Sequence, residues 1–574
     1  MAAESPAYYS LLLPLLLVVV PALYLVGVFR SRRRSAGRQR FPPGPWALPV
    51  IGHLHHLAGS SVPPHHAMRD LARRHGPLML LRFCQLPVLV ASSPDAAREI
   101  MKTHDVAFAS RPLSPTMQLF LRGSEGLVFA PYGDGWRQLR KICTLELLSN
   151  RRVHSFRAVR AEVLGRLLRS VASSASASAS VNLTRGLASF VADSSVQAMI
   201  GRLRSDDRDT LFTLLREGFK IVPGMTLPDL FPSSRLAMLL SRVPARIDHR
   251  NKRMAAFMDS VIQQHRDKKR SAACADGGEE QAEDLLDVLL RLQDDMGSQY
   301  PLTTENIKLV IIVSSLPILF SVYQLPSPGQ ESSIERRQPL SFACMQDMIS
   351  ASSETTSTTL VWAMAELLRK AAAMRKAQDE VRRQLDGHSR VTEDGLADLH
   401  YLRLVIKETL RLHPPVKQRR PPRRNYTRHP PAPPPPVMLI RECGPRQQVL
   451  GFDVPQGAMV LVNAWAMGRD PAHWDSAGEF LPERFESSGT PDFKGVDFEF
   501  LPFGAGRRIC PGVSFGLVHL ELALAALLFH FDWKLPDGMV PEELDMTEEA
   551  GLTTRRRAEL VVFAVPHVPL PIDQ

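Results

Sequence analysis

Cysteine is scarce in this sequence. Its 574 residues hold six, at positions 84, 143, 274, 344, 443 and 510, and no two form a C-x-x-C pair. That spacing argues against a disulfide framework and places the bulk of the chain in a reducing compartment. No stripe of Arg and Lys interleaved with aromatics runs through it, and no nucleic-acid motif occurs, so no nucleic-acid partner is expected. The formal net charge of +11 then suits an anionic membrane or an acidic protein partner. At 44% hydrophobic and 22% charged residues, most of the chain can bury a core.

Charge is missing altogether from Ser10 to Phe29, "SLLLPLLLVVVPALYLVGVF". About twenty apolar residues span a bilayer core as a helix. A cleaved signal peptide is the competing reading, but the run is longer than a typical signal core and no positive side chain precedes it. The positives follow instead, at Arg30, Arg32, Arg33, Arg34, Arg38 and Arg40. Such an excess marks the following side as cytoplasmic. Residues 1–29 therefore read as a lumenal tip and transmembrane anchor, and 30–45 as a basic stop-transfer with a stiff "FPPGP" hinge. The body runs from 46 to 574.

The body reads as mainly helical with a minor β component. "LMLLRFCQLPVLVAS" (Leu78 to Ser92) predicts two short strands. "SSASASAS" (Ser173 to Ser180) predicts a loop, and Arg266 to Asp284 a charged connector. Val449 to Met467 alternates around Pro-Gln-Gly and predicts a small hairpin. The histidines between His53 and His66 read as solvated loop residues, not metal ligands. After Cys510, "VSFGLVHLELALAALLFHF" is apolar almost all round and predicts a buried helix.

One loop carries chemistry: "PFGAGRRICPG", Pro502 to Gly512. It lacks the Lys-Ser/Thr of a phosphate loop, and no cysteine-protease signature surrounds Cys510. A thiolate metal ligand fits better. Cys510 immediately precedes the apolar helix, whose positive end and unpaired N–H groups favour the anion. Gly504, Gly506 and Gly512 let a bulky flat ligand approach the backbone, and Arg508 suits an anionic group on it. A single axial thiolate without neighbouring ligands fits haem iron.

The pattern F-x-x-G-x-R-x-C-x-G, here Phe503, Gly506, Arg508, Cys510 and Gly512, resembles the haem-binding signature of the cytochrome P-450 enzymes. Further landmarks agree in order. Glu408 and Arg411 of "ETLR" with Arg484 of "PERF" resemble the family's structural ion-pair network. Trp136 and Arg140 of "WRQLR", and Arg441 of "LIRE", resemble its propionate-binding residues. Ala351 to Thr356, "ASSETT", resembles its oxygen-binding motif, with Glu354 and Thr355 in proton delivery. Ser352 departs from the glycine usual at its position. The resemblance covers essentially the whole chain and is nearest the plant microsomal members of the CYP71 group. It implies a mainly α fold with small β-sheets and an N-terminal anchor in the endoplasmic reticulum membrane, with the catalytic domain facing the cytosol. It implies haem b on Cys510, electrons from NADPH through a flavin-containing cytochrome P-450 reductase, and cytochrome b5 as a further partner. The expected reaction is hydroxylation or epoxidation of an apolar small molecule, a terpenoid or phenylpropanoid.

Two stretches break the family's pattern. Val313 to Gln346 interrupts the expected central helix just before "ASSETT", and Pro326, Pro328 and Gly329 forbid continuous helix there. Val416 to Pro431 follows "LHPP" and repeats "HPP" at its end. Both read as insertions, retained introns or gene-model errors, in preference to functional loops. The competing expectation for the chain is therefore a catalytically impaired variant that at most binds haem or a partner at the membrane.

Overall fold

The computed structural model describes residues 39–57, 63–121, 127–219, 226–273, 283–294, 342–415, 438–536, 538–550 and 553–571. The expected anchor, residues 313–341 of the first expected insertion and all of the second lie outside the described residues. The last five residues of the first, 342–346, are helical.

Helices dominate. Those that position the site are α1 (Pro64–His75), α2 (Asp134–Ile142), α3 (Arg157–Ser176), α4 (Leu183–Ile200), α5 (Val243–Ala273), α6 (Phe342–Arg369), α7 (His400–Leu412) and α8 (Val513–His530). α8 is apolar on every side and lies in the core: Leu524, Leu527 and Leu528 are fully buried. It is long and apolar enough to cross a membrane, yet most of it is covered by protein, as expected for an all-round apolar core helix. Leu187 and Val191 of α4 and Leu360 and Met364 of α6 join the same cluster. Each such side chain contributes roughly 1.5–3 kcal/mol on burial. α6 thus threads the molecule between α4 and α8. Just beyond α7, His413 stacks on Trp362 at 3.9 Å and its Nε2 lies 2.8 Å from Glu366 Oε1, tying α7 to α6.

The sheets are small. β1 (Leu78–Phe83) and β2 (Leu86–Ala91) form the expected hairpin, with Leu80 opposite Leu89 and Cys84 at φ 53° in the turn. β3 (Val181–Asn182) is the edge of a second sheet. β4 (Leu439–Glu442), β5 (Gln447–Val449), β6 (Phe452–Val454) and β7 (Met459–Val462) follow, then β8 (Phe531–Lys534), β9 (Glu548–Ala550), β10 (Thr554–Arg556) and β11 (Val561–Pro566). The orders are β1-β2-β7-β4, β3-β11-β8, and the hairpins β5-β6 and β9-β10.

Four local expectations are corrected. The hairpin expected over Val449–Met467 turns instead at Leu450 and Gly451, both at positive φ, between β5 and β6. The strand after Pro-Gln-Gly, β7, joins β2 in parallel and β4 antiparallel in the larger sheet, and Ala464–Met467 is helical. The serine-alanine run is helical to Ser176, where Ser174 and Ser176 bond back to the carbonyls of Ser170 and Ala172. The charged connector is helical to Ala273, the end of α5. Finally, His53 and His65 are buried. His65 opens α1, and Glu548 Oε2 lies 2.7 Å from its Nε2 and 3.2 Å from that of His66.

Candidate functional site

The Cys510 loop is shaped by its glycines and one aspartate. Gly504 and Gly506 have φ of 72° and 65°, which side chains with a Cβ rarely adopt. A Cβ on Gly506 would also run into the Met101 carbonyl and the Asp105 carboxylate. Asp105 then fastens the loop, accepting from the Arg507 backbone N–H at 3.0 Å and its guanidinium at 2.9 Å. Cys510 N–H donates to the Phe503 carbonyl at 3.0 Å. Phe503 packs edge-on to Phe493 at 5.4 Å. Gly512 caps α8 directly behind the cysteine.

Burial pushes the Cys510 thiol up, while a backbone hydrogen bond from Gly512 and the charges of Arg140 and Arg111 pull it back down. The nearby cations therefore act in the direction expected from the loop, against the burial, and a coordinated metal ion would act with them, since it deprotonates its thiol ligand outright.

The surroundings are cationic. Arg508 donates to the carbonyls of Ala109 at 2.6 Å and Leu127 at 3.1 Å and to that of Ala130, and its guanidinium lies 4.2 Å from the Trp136 ring. Trp136 is buried on α2 and gives its indole N–H to the Leu127 carbonyl at 3.0 Å. Arg441, on β4, is fully buried and, among the described residues, donates to the carbonyls of Ile440 (3.1 Å) and Ala505 (3.4 Å). Burial and the repulsion of Arg111 push Arg441 down to about 9. Burial, then Arg111, Arg441 and Arg140, push Arg508 down to about 9 as well. Burial also lowers Arg140. Among the described residues, none of Arg140, Arg441 and Arg508 has a carboxylate within ion-pair distance. Buried charge of one sign is costly without a partner, so the cluster is chemically incomplete without an anion. A flat group carrying carboxylates and an iron for the sulfur fits this donor set.

Arg111 is the member that sequence reading missed. It stands in "SRP", before a proline that holds the chain extended, and only the fold brings it to Cys510.

Glu408, Arg411 and Arg484 form a separate cluster. Arg411 makes two 2.7 Å bonds to the Glu408 carboxylate and reaches the carbonyls of Gly468, Ala477 and Glu479. Arg484 Nε adds a 3.0 Å bond to the same carboxylate. Glu354 and Thr355 lie on α6, which packs on α8 near Gly516, where an added Cβ would be 3.7 Å from Thr356 Oγ1. Glu354 Oε1 accepts from Thr553 Oγ1 at 3.3 Å. The side chain of Ser352 lies outside the described residues.

The cytochrome P450 family profile matches residues 42–314, 341–426 and 431–562. The chain belongs to the cytochrome P450 family. It is 40% identical to premnaspirodiene oxygenase of Hyoscyamus muticus over 550 residues, covering 95% of this chain and 97% of that one. It is 40% identical to zealexin A1 synthase of Zea mays, with 96% and 98% covered. It is 39% identical to desmethyl-deoxy-podophyllotoxin synthase of Sinopodophyllum hexandrum, with 95% and 96% covered. This cytochrome P450 is thus a haem-thiolate monooxygenase with plant relatives, and its mainly helical fold with small sheets is as expected. The family match lapses over 315–340 and 427–430, inside the two stretches that sequence reading set apart.

Proposed function

We propose that this cytochrome P450 hydroxylates or epoxidises an apolar terpenoid or phenylpropanoid. The carrying observation is the arginine cluster around Cys510, in which, among the described residues, no carboxylate lies within ion-pair distance of Arg140, Arg441 or Arg508 and burial lowers all three. Cys510 would hold the iron of haem b and Arg140 and Arg441 its carboxylate groups; Trp136 stands beside them with its indole N–H on the Leu127 carbonyl, and Arg508 braces the loop among them. Bound there, haem supplies dioxygen activation and the oxidising power. The chain's own contribution is to hold the thiolate, neutralise the carboxylates, exclude water and keep an acid beside the pocket. Glu354 holds the proton to be delivered and Thr355 positions it, a division of labour typical of general acid catalysis. The relatives' printed names, a spirodiene oxygenase and a podophyllotoxin-type synthase, support the substrate class.

The chain sits in the endoplasmic reticulum membrane through 10–29, facing the cytosol. Apolar exposure near the linker supports that placement: Trp46, Val50, Leu236, Leu239 and Leu240 are all exposed. The two groups are bridged at the β1–β2 turn, where Gln85 bonds to Leu230 and Ser233. Electrons come from NADPH–cytochrome P450 reductase, whose acidic surface suits a basic partner, with cytochrome b5 as a further donor.

A second reading has its own support, the lapses in the family match. Residues 313–346 and 416–431 are insertions, and the first impairs the chain by interrupting the sequence that leads into α6, the helix that carries Glu354. One experiment addresses both readings. The full chain, the chain lacking 313–346, and Cys510→Ser in each are expressed with a reductase and given a panel of terpenes, fatty acids and phenolics. The deletion should raise the thiolate-type CO-difference band and turnover per milligram, and Cys510→Ser should abolish the band in both. Equal signal from the full chain would make the insertion a tolerated loop. An unchanged band in Cys510→Ser would overturn the ligand assignment.

A further inference from the structure

The hydroxyls of α6 do not all behave alike. Ser357 Oγ donates to the carbonyl of Ser353 at 2.7 Å, and Thr359 Oγ1 to that of Thr355 at 3.0 Å. These are ordinary back-bonds within a helix. Thr358 instead reaches across to Thr553, Oγ1 to Oγ1 at 2.9 Å, and Thr553 in turn meets Glu354 Oε1 at 3.3 Å. One turn further on, Trp362 Nε1 donates to the Thr554 carbonyl at 2.8 Å. Glu354, Thr358 and Trp362 are spaced by four and share one helix face. That face is fastened at three points to the residues that open β10. Thr553 is fully buried and Thr554 nearly so.

The direction of the chain follows from counting hydrogens. Thr553 Oγ1 donates to Glu354 Oε1, and each threonine hydroxyl has one hydrogen to give. With that hydrogen spent, a lone pair of Thr553 takes the Thr358 hydrogen.

We infer that Thr553 is a positioning residue for Glu354, aiming its carboxylate through a two-hydroxyl chain that begins at Thr358. The inference rests on the reading of Glu354 as the proton-delivering acid. Thr553 is 199 residues from Glu354, so no local motif joins them.

The test uses the full-length holoprotein carrying Thr553→Val, Thr553→Ser or Glu354→Gln. Thr553→Ala carries the same prediction if valine is not accommodated. The first readout needs no turnover: infrared carboxylate bands of Glu354 in the resting ferric protein, taken as the difference from Glu354→Gln. Thr553→Val should shift them and Thr553→Ser should leave them in place. The second is product formed per NADPH with the reductase. It should fall about tenfold in Thr553→Val, the size of one hydrogen bond, with peroxide rising to match and serine restoring it. Unchanged bands, or unchanged coupling in Thr553→Val beside an uncoupled Glu354→Gln, would overturn this inference alone. Unchanged coupling in Glu354→Gln would sink the reading of Glu354 and this inference with it.

Discussion

Arg411 and Arg441 are both fully buried arginines, and they do opposite work. Arg411 faces a carboxylate along two short bonds, and its other donors end on three backbone carbonyls. Its charge is neutralised inside the fold. Arg441 meets two carbonyls; after burial the largest influence on it is the repulsion of Arg111, which the more weakly felt Asp105 only partly offsets. Its charge is left for something else to neutralise. A buried ion pair completed by the chain holds elements together, here α7 to the segment around Arg484. A buried cation left open marks where a ligand's charge belongs. The contrast separates scaffold from site without reference to any bound group.

The largest effect should come from breaking the completed pair. Arg411→Met leaves Glu408 fully buried with Arg484 and the Leu481 N–H as its remaining donors. Removing one partner of a buried pair costs about 3–5 kcal/mol. Thermal or denaturant unfolding should show that loss in haem-free and haem-loaded protein alike. A loss confined to the haem-loaded form would break the comparison.

Arg441→Met should act with the other sign. It removes a cation that Arg111 repels, so haem-free protein should keep its stability or gain about 1 kcal/mol. Haem should leave faster, measured by transfer to an excess of a haem-scavenging apoprotein. If the haem-free protein is instead destabilised as much as by Arg411→Met, Arg441 is scaffold and the distinction fails.

Sequence reading reached the parts of this contrast that are contiguous in the chain. Glu408 and Arg411 lie three apart on one helix, and the Cys510 loop is a single run whose glycines have no local alternative at positive φ. It missed partners joined only by the fold. Asp105 fastens Arg507 across 402 residues, and Arg111 and Thr553 arrive from other elements. His65 was read as a loop histidine because its acceptor, Glu548, lies 483 residues away. β7 was paired with its sequence neighbour because Pro-Gln-Gly looks like a hairpin turn. Its real partners, β2 and β4, offer a buried four-stranded sheet instead. Local chemistry is visible in a string of residues; the choice among long-range partners is made by packing.

The smallest effect sharpens the boundary between the two kinds of site. Trp136 stands beside the open cluster, but its indole N–H is already used by the Leu127 carbonyl at 3.0 Å. That carbonyl also receives Arg508 Nη1 at 3.1 Å, so losing the indole does not orphan it. Trp136→Phe keeps a ring under the Arg508 guanidinium and removes one neutral hydrogen bond. The cost should be about 1 kcal/mol of stability. Haem transfer should quicken far less than in Arg441→Met, because phenylalanine removes no positive charge. If Trp136→Phe instead releases haem as fast as Arg441→Met, the indole N–H turns from Leu127 to a haem carboxylate when the group binds. Trp136 would then belong with Arg441 among the groups completed by the ligand, not with Arg411 among those completed by the chain.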